Sequence, residues 1–173
     1  MNMSNQIKPC TCEQLAELQH IAIETYRDTF SDSNSEALMV SYLNDAFHMD
    51  KLTAEFNQPN SHFYFIYSDD QIAGFLKVNE FNAQTDITDD DAFEIERFYI
   101  RKAFLRKGLG NELMNFACDL ARQSHKTYVW LGVWENNVRA LQFYQHHQFF
   151  EIGQHPFDMG GDIQTDLLLK KVL

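Results

Sequence analysis

Cysteine is scarce in this sequence, which contains three cysteines among 173 residues. Cys10, Cys12 and Cys118 are an odd number, and no further cysteine or histidine cluster accompanies them. A disulfide framework needs paired cysteines, and a structural zinc site needs ligands at characteristic spacings. The sequence therefore favours three free thiols and predicts no bound metal.

Long apolar runs are also missing. No uninterrupted apolar stretch approaches the roughly 20 residues that a membrane-spanning helix requires. The N-terminus shows neither the basic flank nor the apolar segment of a signal peptide. We therefore expect a cytoplasmic protein without a membrane partner.

Positive charge is in deficit, because 14 lysines and arginines stand against 25 aspartates and glutamates, a formal charge of −11. Such a surface repels nucleic acid and attracts cations. With no basic surface and no helix-turn-helix pattern, the sequence does not support a regulator that acts on DNA. Its length and ordinary composition, with 45% hydrophobic and 23% charged residues, predict a single domain over residues 1–173.

Helix and strand patterns alternate along the chain. Helices are predicted from Thr11, whose capping box is completed by Gln14, from Ser33, which forms the same signature with Glu36, and over residues 50–57. Two more helices follow Gly110 and Asn136 or Asn137. Strands are predicted at 6–10, 62–67, 72–78, 93–100, 127–133, 149–157 and 165–169, with turns at 68–71 and 160–161 and a polar loop at 82–91. This order predicts an α/β fold with helices flanking a mixed sheet.

Residues 93–113 combine a strand, a basic turn and the start of a helix. Gly108 and Gly110 allow a tight turn, and the first free N–H groups of the helix, at the positive end of its dipole, form a site for an anion such as phosphate. A dinucleotide-binding fingerprint would need a third glycine where Leu113 stands, and a P-loop would need Gly-Lys-Ser/Thr. The sequence contains neither of these patterns.

Residues 94–113, followed by Asn137-x-x-Ala140-x-x-Phe143-Tyr144, resemble the acetyl-CoA-binding core of the GNAT superfamily of N-acetyltransferases. The loop pattern of that superfamily is Gln/Arg-x-x-Gly-x-Gly/Ala before a helix. Gly108 and Gly110 match this pattern, whereas Leu105 departs from it. The order and spacing of the two motifs make the resemblance specific.

A narrower resemblance covers nearly the whole chain. Residues 23–30, 130–135 and 159–166 are similar to segments of the PaiA-type bacterial spermidine/spermine acetyltransferases. One departure is Gln148, which stands before Phe149 where a glycine is usual. This resemblance implies that the acceptor is a small-molecule amine that is polycationic.

The GNAT resemblance also implies a splayed sheet and a binding site for acetyl-CoA. The gap would open between the strand that ends at Ile100 and the strand at 127–133, and the pantetheine arm would lie along Phe98, Tyr99 and Ile100. Asn137 and Tyr144 would also contribute to this site. The pyrophosphate would lie on the amides of Leu105, Arg106, Lys107, Gly108, Leu109, Gly110 and Asn111.

Catalysis needs a base, because a primary amine with a pKa of roughly 10 to 11 is mostly ammonium at neutral pH. Glu94 matches the base position of several superfamily members, and alternation points Glu94 and Glu96 to one face unless a β-bulge reverses one of them. Each could instead be a surface or salt-bridged acid, with Arg97 as a candidate partner. By the same resemblance, Tyr144 would protonate the departing thiolate, although a tyrosine on an apolar helix face is more often part of the core.

Acidic residues on the first helices and one cysteine are further candidates for a role in substrate binding or catalysis. Glu24, Asp28 and Asp32 are a candidate acidic wall for a polycationic substrate, and solvated helix positions are the alternative. Cys118, the candidate nucleophile of a ping-pong route, is expected in the core. Acetylation of peptide N-termini or aminoglycosides, and a non-catalytic acetyl-CoA-binding regulator, stay open as alternative functions. The oligomeric state is also open, a homodimer included.

Overall fold

Seven strands and five α-helices alternate along residues 4–173, the part of the chain that the computed structural model describes. The strands are β1 (Asn5–Pro9), β2 (Ser61–Ser68), β3 (Gln71–Asn79), β4 (Ala92–Ile100), β5 (Tyr128–Trp134), β6 (Phe150–Met159) and β7 (Asp162–Val172). The helices are α1 (Leu15–Phe30), α2 (Glu36–Ala46), α3 (Met49–Phe56), α4 (Leu109–Gln123) and α5 (Val138–His146). None of these helices is long and apolar enough to cross a membrane.

The strands form one mixed sheet in the order β1-β2-β3-β4-β5-β7-β6. β4 and β5 are parallel, and the other neighbouring pairs are antiparallel. The α4 helix supplies the crossover between the two parallel strands, as a parallel pair requires. The predicted α/β class with a mixed sheet is therefore confirmed.

The parallel pair separates soon after it begins. Ala92 pairs with Tyr128, and Glu94 with Trp130, but the described ladder between β4 and β5 ends there. Each strand is paired along its other side, β4 with β3 and β5 with β7. The sheet is consequently open between the second halves of β4 and β5, as predicted.

Two hydrophobic cores lie on opposite faces of this sheet. The core under α4 and α5 includes Ile95, Leu113, Ala117, Leu131 and Tyr144. The core under α1, α2 and α3 includes Leu18, Tyr26, Met39, Leu52 and Phe75. The open part of the sheet therefore has one helical layer on each side.

Local signals account for most of the element boundaries. The Thr11 N–H donates to Gln14 Oε1 at 3.0 Å, which completes the predicted capping box before α1. The cap predicted at Ser33 is wrong, because Ser33 lies in a 3₁₀ turn. Ser35 caps α2 instead, with its Oγ accepting from the Leu38 N–H at 3.2 Å. Ser35 has the extended backbone conformation that an N-cap needs.

Two tight hairpins join neighbouring strands. Asp69 and Asp70 have φ values of 48° and 64°, and Gly160 and Gly161 have values of 60° and 92°. Paired positive φ values suit a two-residue turn whose twist matches that of the flanking strands. Both predicted turns are confirmed. β6 and β7 are longer than predicted because pairing continues to the turn, where Met159 lies opposite Asp162.

Candidate active site

A β-bulge shapes β4 next to the gap. Lys77 on β3 lies opposite Arg97, and Val78 lies opposite Ile95, so Glu96 is the extra residue. Glu94 and Glu96 nevertheless both approach one side-chain amide, that of Asn79, whose Nδ2 is 2.8 Å from Glu94 Oε2 and 3.4 Å from Glu96 Oε2. The two carboxylates therefore share one face of the strand despite the bulge.

Glu94 is almost completely buried, with 2% of its surface exposed. Besides the Asn79 amide, it accepts hydrogen bonds from the Thr85 N–H at 3.0 Å and the Thr85 hydroxyl at 2.5 Å. Burial raises the pKa of Glu94 to about 7; the hydrogen bonds from Asn79 and Thr85 oppose this shift, and the charge of Glu96 adds to it. A carboxyl with a pKa near 7 can both accept and release a proton at neutral pH.

Glu96 belongs to a buried group of four charges on the same face. Lys77 forms ion pairs with Glu96 and, at 3.2 Å, with Glu55. Arg97 binds Glu55 at 2.8 Å, so the expected pairing of Arg97 with Glu94 or Glu96 is wrong. The bulge places Arg97 toward α3, which carries Glu55. The charges of these two cations and two anions sum to zero. Such pairing offsets part of the free-energy cost of removing charges from water.

The polar loop before β4 holds the Glu94 carboxyl in place. Gln84 accepts a hydrogen bond from Trp130 Nε1 at 2.8 Å, and Thr85 provides two of the donors to Glu94. Gln84 is itself buried. The loop at 82–91 was expected to be solvated. At least one of its ends instead packs where β4 and β5 begin to separate.

Tyr144 lies on α5 and is packed among aromatic rings. Its ring centroid is 6.4 Å from that of Phe98 on β4 and 5.6 Å from that of Phe149. Burial raises the pKa of Tyr144 well above its usual range, so the hydroxyl keeps its proton at neutral pH. Tyr99 on β4 is within electrostatic range of it. Tyr144 is therefore buried, as a core tyrosine would be, and also faces β4 at the gap.

The glycine-containing turn leads into α4 in the conformation that an anion site requires. Gly108 is the N-cap residue with φ 80°, and Arg106 also has a positive φ of 62°. The N–H groups of Leu109, Gly110 and Asn111 form the first helical turn, where they have no intrahelical acceptor. Arg106 and Lys107 are exposed beside them. These residues fit a pyrophosphate group, because free amides, a helix N-terminus and two cations converge there.

Three predicted cofactor-binding residues also have structural roles. The Leu105 N–H donates to the Lys102 carbonyl at 3.4 Å, so this amide has a partner within the chain. A Cβ on Gly110 would lie 3.3 Å from the ring of Phe143. Gly110 thus permits close packing of α4 against α5, a reason that differs from the expected approach to a ligand. Asn137 caps α5, its Oδ1 accepting from the Ala140 N–H at 3.2 Å.

The β4 residues predicted to contact pantetheine border the gap. Phe98 and Ile100 pack on the core under α4 and α5, whereas the Tyr99 ring stacks on Phe75 at 5.6 Å on the other face. Because the described β4–β5 ladder ends at Glu94, the backbone of these residues has no strand partner on the β5 side. An extended ligand can therefore bind this edge as an added strand would.

The predicted acidic wall is not assembled as expected. Glu24 binds Arg101 through both carboxylate oxygens, at 2.7 and 3.0 Å. Glu24 therefore has a cationic partner within the chain rather than a free carboxylate. Asp28 and Asp32 are exposed, and their role in substrate binding stays a prediction.

A cysteine on α4 and a histidine at the end of α5 also lie among these elements. Cys118 is buried in the core, as predicted, and burial raises the pKa of its thiol. His147 caps the end of α5, and its Nε2 lies 2.8 Å from Asn111 Oδ1. Across residues 4–173, no group of three or more histidine, cysteine, aspartate or glutamate side chains is arranged to hold a metal ion.

Sequence reasoning missed several residues of this site. Asn79, Thr85 and Glu55 are separated from β4 in sequence, and no local pattern distinguishes them from other polar residues. Strand register could have identified Asn79, because it is the last residue of β3 and lies opposite Glu94 on β4. Asp166, on β7 opposite Trp134, lies within the 159–166 segment that carried the narrower resemblance.

Comparison with known proteins identifies the family. A model described as "Acetyltransferase (GNAT) family" matches residues 15–149. An uncharacterized N-acetyltransferase from Lactobacillus delbrueckii subsp. lactis is 42% identical over 161 residues, which are 93% of each chain. A "Probable spermine N(1)-acetyltransferase" from Bacillus subtilis subsp. natto is 25% identical over 94 residues, covering 54% of this chain and 62% of that protein.

The fold is also that of a solved acetyltransferase. The crystal structure of the PaiA N-acetyltransferase from Thermoplasma acidophilum in complex with coenzyme A superimposes with a TM-score of 0.79. The match covers 99% of this chain and 100% of the other, at 19% sequence identity. At that identity the similarity concerns the fold alone.

Proposed function

Because the chain belongs to the GNAT acetyltransferase family, we propose that it transfers an acetyl group from acetyl-CoA to a primary amine, with a polycationic amine such as spermidine as the acceptor. One observation carries the proposal. A buried carboxyl, Glu94, whose pKa is raised to about 7, lies where β4 and β5 separate. A base poised near neutral pH at the gap is what attack by an amine requires.

Acetyl-CoA supplies the thioester whose acetyl group is transferred. The amides from Arg106 to Asn111 and the two exposed cations of that turn hold its pyrophosphate. The open edge of β4 from Phe98 to Ile100 binds the pantetheine arm. Both sites lie at the same end of β4, so a molecule anchored at the turn reaches the gap between β4 and β5.

Glu94 takes the proton that the acceptor must lose. The ammonium group loses one proton to the Glu94 carboxylate, which leaves a neutral amine with a lone pair for the acyl carbon. Glu96 is held near Lys77, and its charge beside Glu94 helps to hold the pKa of Glu94 up. Asn79 fixes the two carboxylates relative to each other.

Tyr144 donates the proton that the leaving group needs. A C–N bond forms at the acyl carbon, the C–S bond breaks with its electron pair on sulfur, and the hydroxyl of Tyr144 protonates that sulfur. The second proton of the attacking nitrogen passes to solvent, and Tyr144 and Glu94 return to their starting states by exchange with water. Burial raises the pKa of Tyr144, so its hydroxyl is protonated at neutral pH.

A turnover screen tests the proposal directly. Release of CoA from acetyl-CoA is followed with spermidine, a peptide with a free N-terminus and an aminoglycoside, and the products are identified by mass spectrometry. Spermidine is expected to give the highest kcat/KM. Preference for the peptide or the aminoglycoside would reassign the acceptor. Tight acetyl-CoA binding without turnover of any amine would instead support an acetyl-CoA-binding regulator.

A further inference from the structure

Aromatic side chains from both sides of the gap surround one carboxylate. Asp166 on β7 lies opposite Trp134, the last residue of β5. Its charge influences the pKa values of Tyr26, Tyr42 and Tyr99, which come from α1, α2 and β4. We call these three tyrosines together with Asp166 the tyrosine pocket. It lies on the α1–α3 side of the sheet, the same side as Glu96.

The walls of the tyrosine pocket are rings in contact. Tyr26 and Tyr42 stack with their centroids 4.7 Å apart, and Tyr42 packs edge-on against Phe157 at 5.6 Å. Phe30, next along α1, lies 5.8 Å from Trp134. Aromatic faces attract a cation, and the attraction is stronger where the cation is desolvated.

The hydroxyl of Tyr26 needs a partner. Only 4% of Tyr26 is exposed, and its hydroxyl oxygen forms no hydrogen bond among the described residues. The neighbouring Tyr42 hydroxyl interacts with it and contributes to its raised pKa, but no well-formed hydrogen bond satisfies the Tyr26 oxygen among the described residues. A buried polar atom without a partner is rare and unfavourable. It can be satisfied by a ligand that enters the pocket.

The charges around the tyrosine pocket leave an excess of negative charge. Asp166 Oδ2 lies 3.4 Å from His155 Nε2, while His155 Nδ1 pairs with Asp86. Even with protons on both nitrogens, His155 provides one positive charge against two carboxylates. The other charged groups that reach the pocket, Glu96 and Arg97, belong to the neutral group described above. Burial outweighs His155 and raises the pKa of Asp166, as expected for a carboxylate that lacks a full set of partners.

We propose that Asp166, together with the Tyr26 and Tyr42 hydroxyls, binds a second ammonium group of the acceptor, one that is not acetylated. This inference rests on the proposed function. The group at Asp166 stays an ammonium while the nitrogen at Glu94 loses a proton, and a protonated nitrogen cannot attack an acyl carbon. The nitrogen at Asp166 is therefore a spectator. The acceptor class is an amine with at least two amino groups, one at Glu94 and one in the tyrosine pocket.

Calorimetry in the presence of CoA measures the binding of spermidine and of butylamine, which has a single amino group. The Asp166→Asn variant should bind spermidine about 10- to 100-fold more weakly, the usual effect of losing a charge-assisted hydrogen bond, and should bind butylamine like the wild type. Asp166→Glu should restore part of the affinity. Asp119→Asn, which removes one charge from an exposed position on α4, should change neither affinity.

Tyr26→Phe provides a second test that does not depend on the folding of the Asp166 variants. Removing a buried hydroxyl that forms no well-formed hydrogen bond should change the melting temperature little, yet weaken spermidine binding. Equal losses for spermidine and butylamine in Asp166→Asn, or unchanged spermidine affinity in Tyr26→Phe, would overturn the inference. Wild-type binding of spermidine without acetylation would instead contradict the proposed function and leave the tyrosine pocket supported.

Discussion

Glu94 and Glu96 are two positions apart on one strand, yet their surroundings give them different properties. Glu94 has only neutral donors, from Asn79 and Thr85, and its buried carboxyl favours the protonated form. Glu96 has a cationic partner in Lys77, and 22% of its side chain is exposed. A neutral environment suits a group that must change its charge, and a cationic partner suits one that must keep it. We therefore propose Glu94, and not Glu96, as the proton acceptor.

Titration of Glu94 should appear in the pH dependence of the rate. The carboxylate is the active form, so kcat/KM for the amine should fall as pH decreases through about 7. Glu94→Gln should lower kcat by roughly 10² to 10⁴-fold, as loss of a general base typically does, and should abolish that inflection. Steady-state kinetics between about pH 5.5 and about pH 8.5 measure both effects. The exposed Glu151→Gln serves as the control.

The same carboxyl affects stability with a defined sign. Its pKa in the folded state is raised above the ordinary value of 4.5, so the folded protein binds this proton more tightly than the unfolded chain does. The contribution of Glu94 to stability is thus present at low pH and is lost as pH rises to about 7. If the pH dependence of stability in Glu94→Gln still shows an inflection near pH 7, another group titrates there.

Tyr144 presents the opposite case of a group that must keep its proton until late in the reaction. Tyr144→Phe preserves the ring contacts with Phe98 and Phe149. We expect kcat to fall by roughly 10² to 10⁴-fold with little change in acetyl-CoA affinity, because the hydroxyl acts only when charge develops on sulfur. Single-turnover kinetics and calorimetry separate the two quantities. Wild-type single-turnover rates would mean that Tyr144 is a packing residue; Tyr128→Phe, at the start of β5, is the control.

At the scale of elements, the turn before α4 and the opening of the sheet together form the proposed cofactor site. Gly108 starts α4 in a left-handed conformation, which directs the first helical amides outward. The divergence of β4 from β5 leaves an unpaired strand edge beside them. Neither feature binds a long ligand alone. Their placement in consecutive elements allows one molecule to contact both.

The conformation of Gly108 can be tested with a matched glycine. Gly108 and Gly161 both have positive φ, at 80° and 92°, and a Cβ on either would meet no atom within 4 Å. Alanine at each position should therefore lower the free energy of unfolding by a similar amount, about 1 to 2 kcal/mol. Only Gly108→Ala should weaken acetyl-CoA binding. Denaturant unfolding and calorimetry measure the two effects, and equal acetyl-CoA affinity in both variants would contradict the assignment.

Elements could be predicted where short-range chemistry determines them. The Thr11 capping box and the Asp69–Asp70 turn depend on residues within a few positions of each other, and both are confirmed. The cap of α2 was misassigned by two residues because several serines there satisfy the same local pattern. The pairing of Arg97 with Glu55 could not be predicted, since it depends on a bulge and on a helix 42 residues away.

The whole molecule combines a large net negative charge with one internal group of charges that cancel. The formal charge is −11, whereas the buried group around Lys77 sums to zero. The fold and family follow from motif order and spacing, which sequence reports directly. The acceptor does not, because the tyrosine pocket is assembled from α1, α2, β4 and β7, and no segment of sequence contains it. The identity of the acceptor therefore has to be established by experiment, and its charge is the property to vary.

Charge selection should appear as a dependence on ionic strength. Spermidine carries several positive charges, so the negative field of the protein accelerates its encounter more than that of a monoamine. We expect kcat/KM for spermidine to fall steeply as salt rises from about 0.1 M to 1 M, where the Debye length shrinks from about 10 Å to about 3 Å. The value for butylamine should fall much less. Acetyl-CoA affinity is measured at each salt concentration, so that weaker cofactor binding is not mistaken for weaker attraction of the amine. Parallel slopes for the two amines would contradict a polycationic acceptor and favour one whose recognition depends on a neutral group.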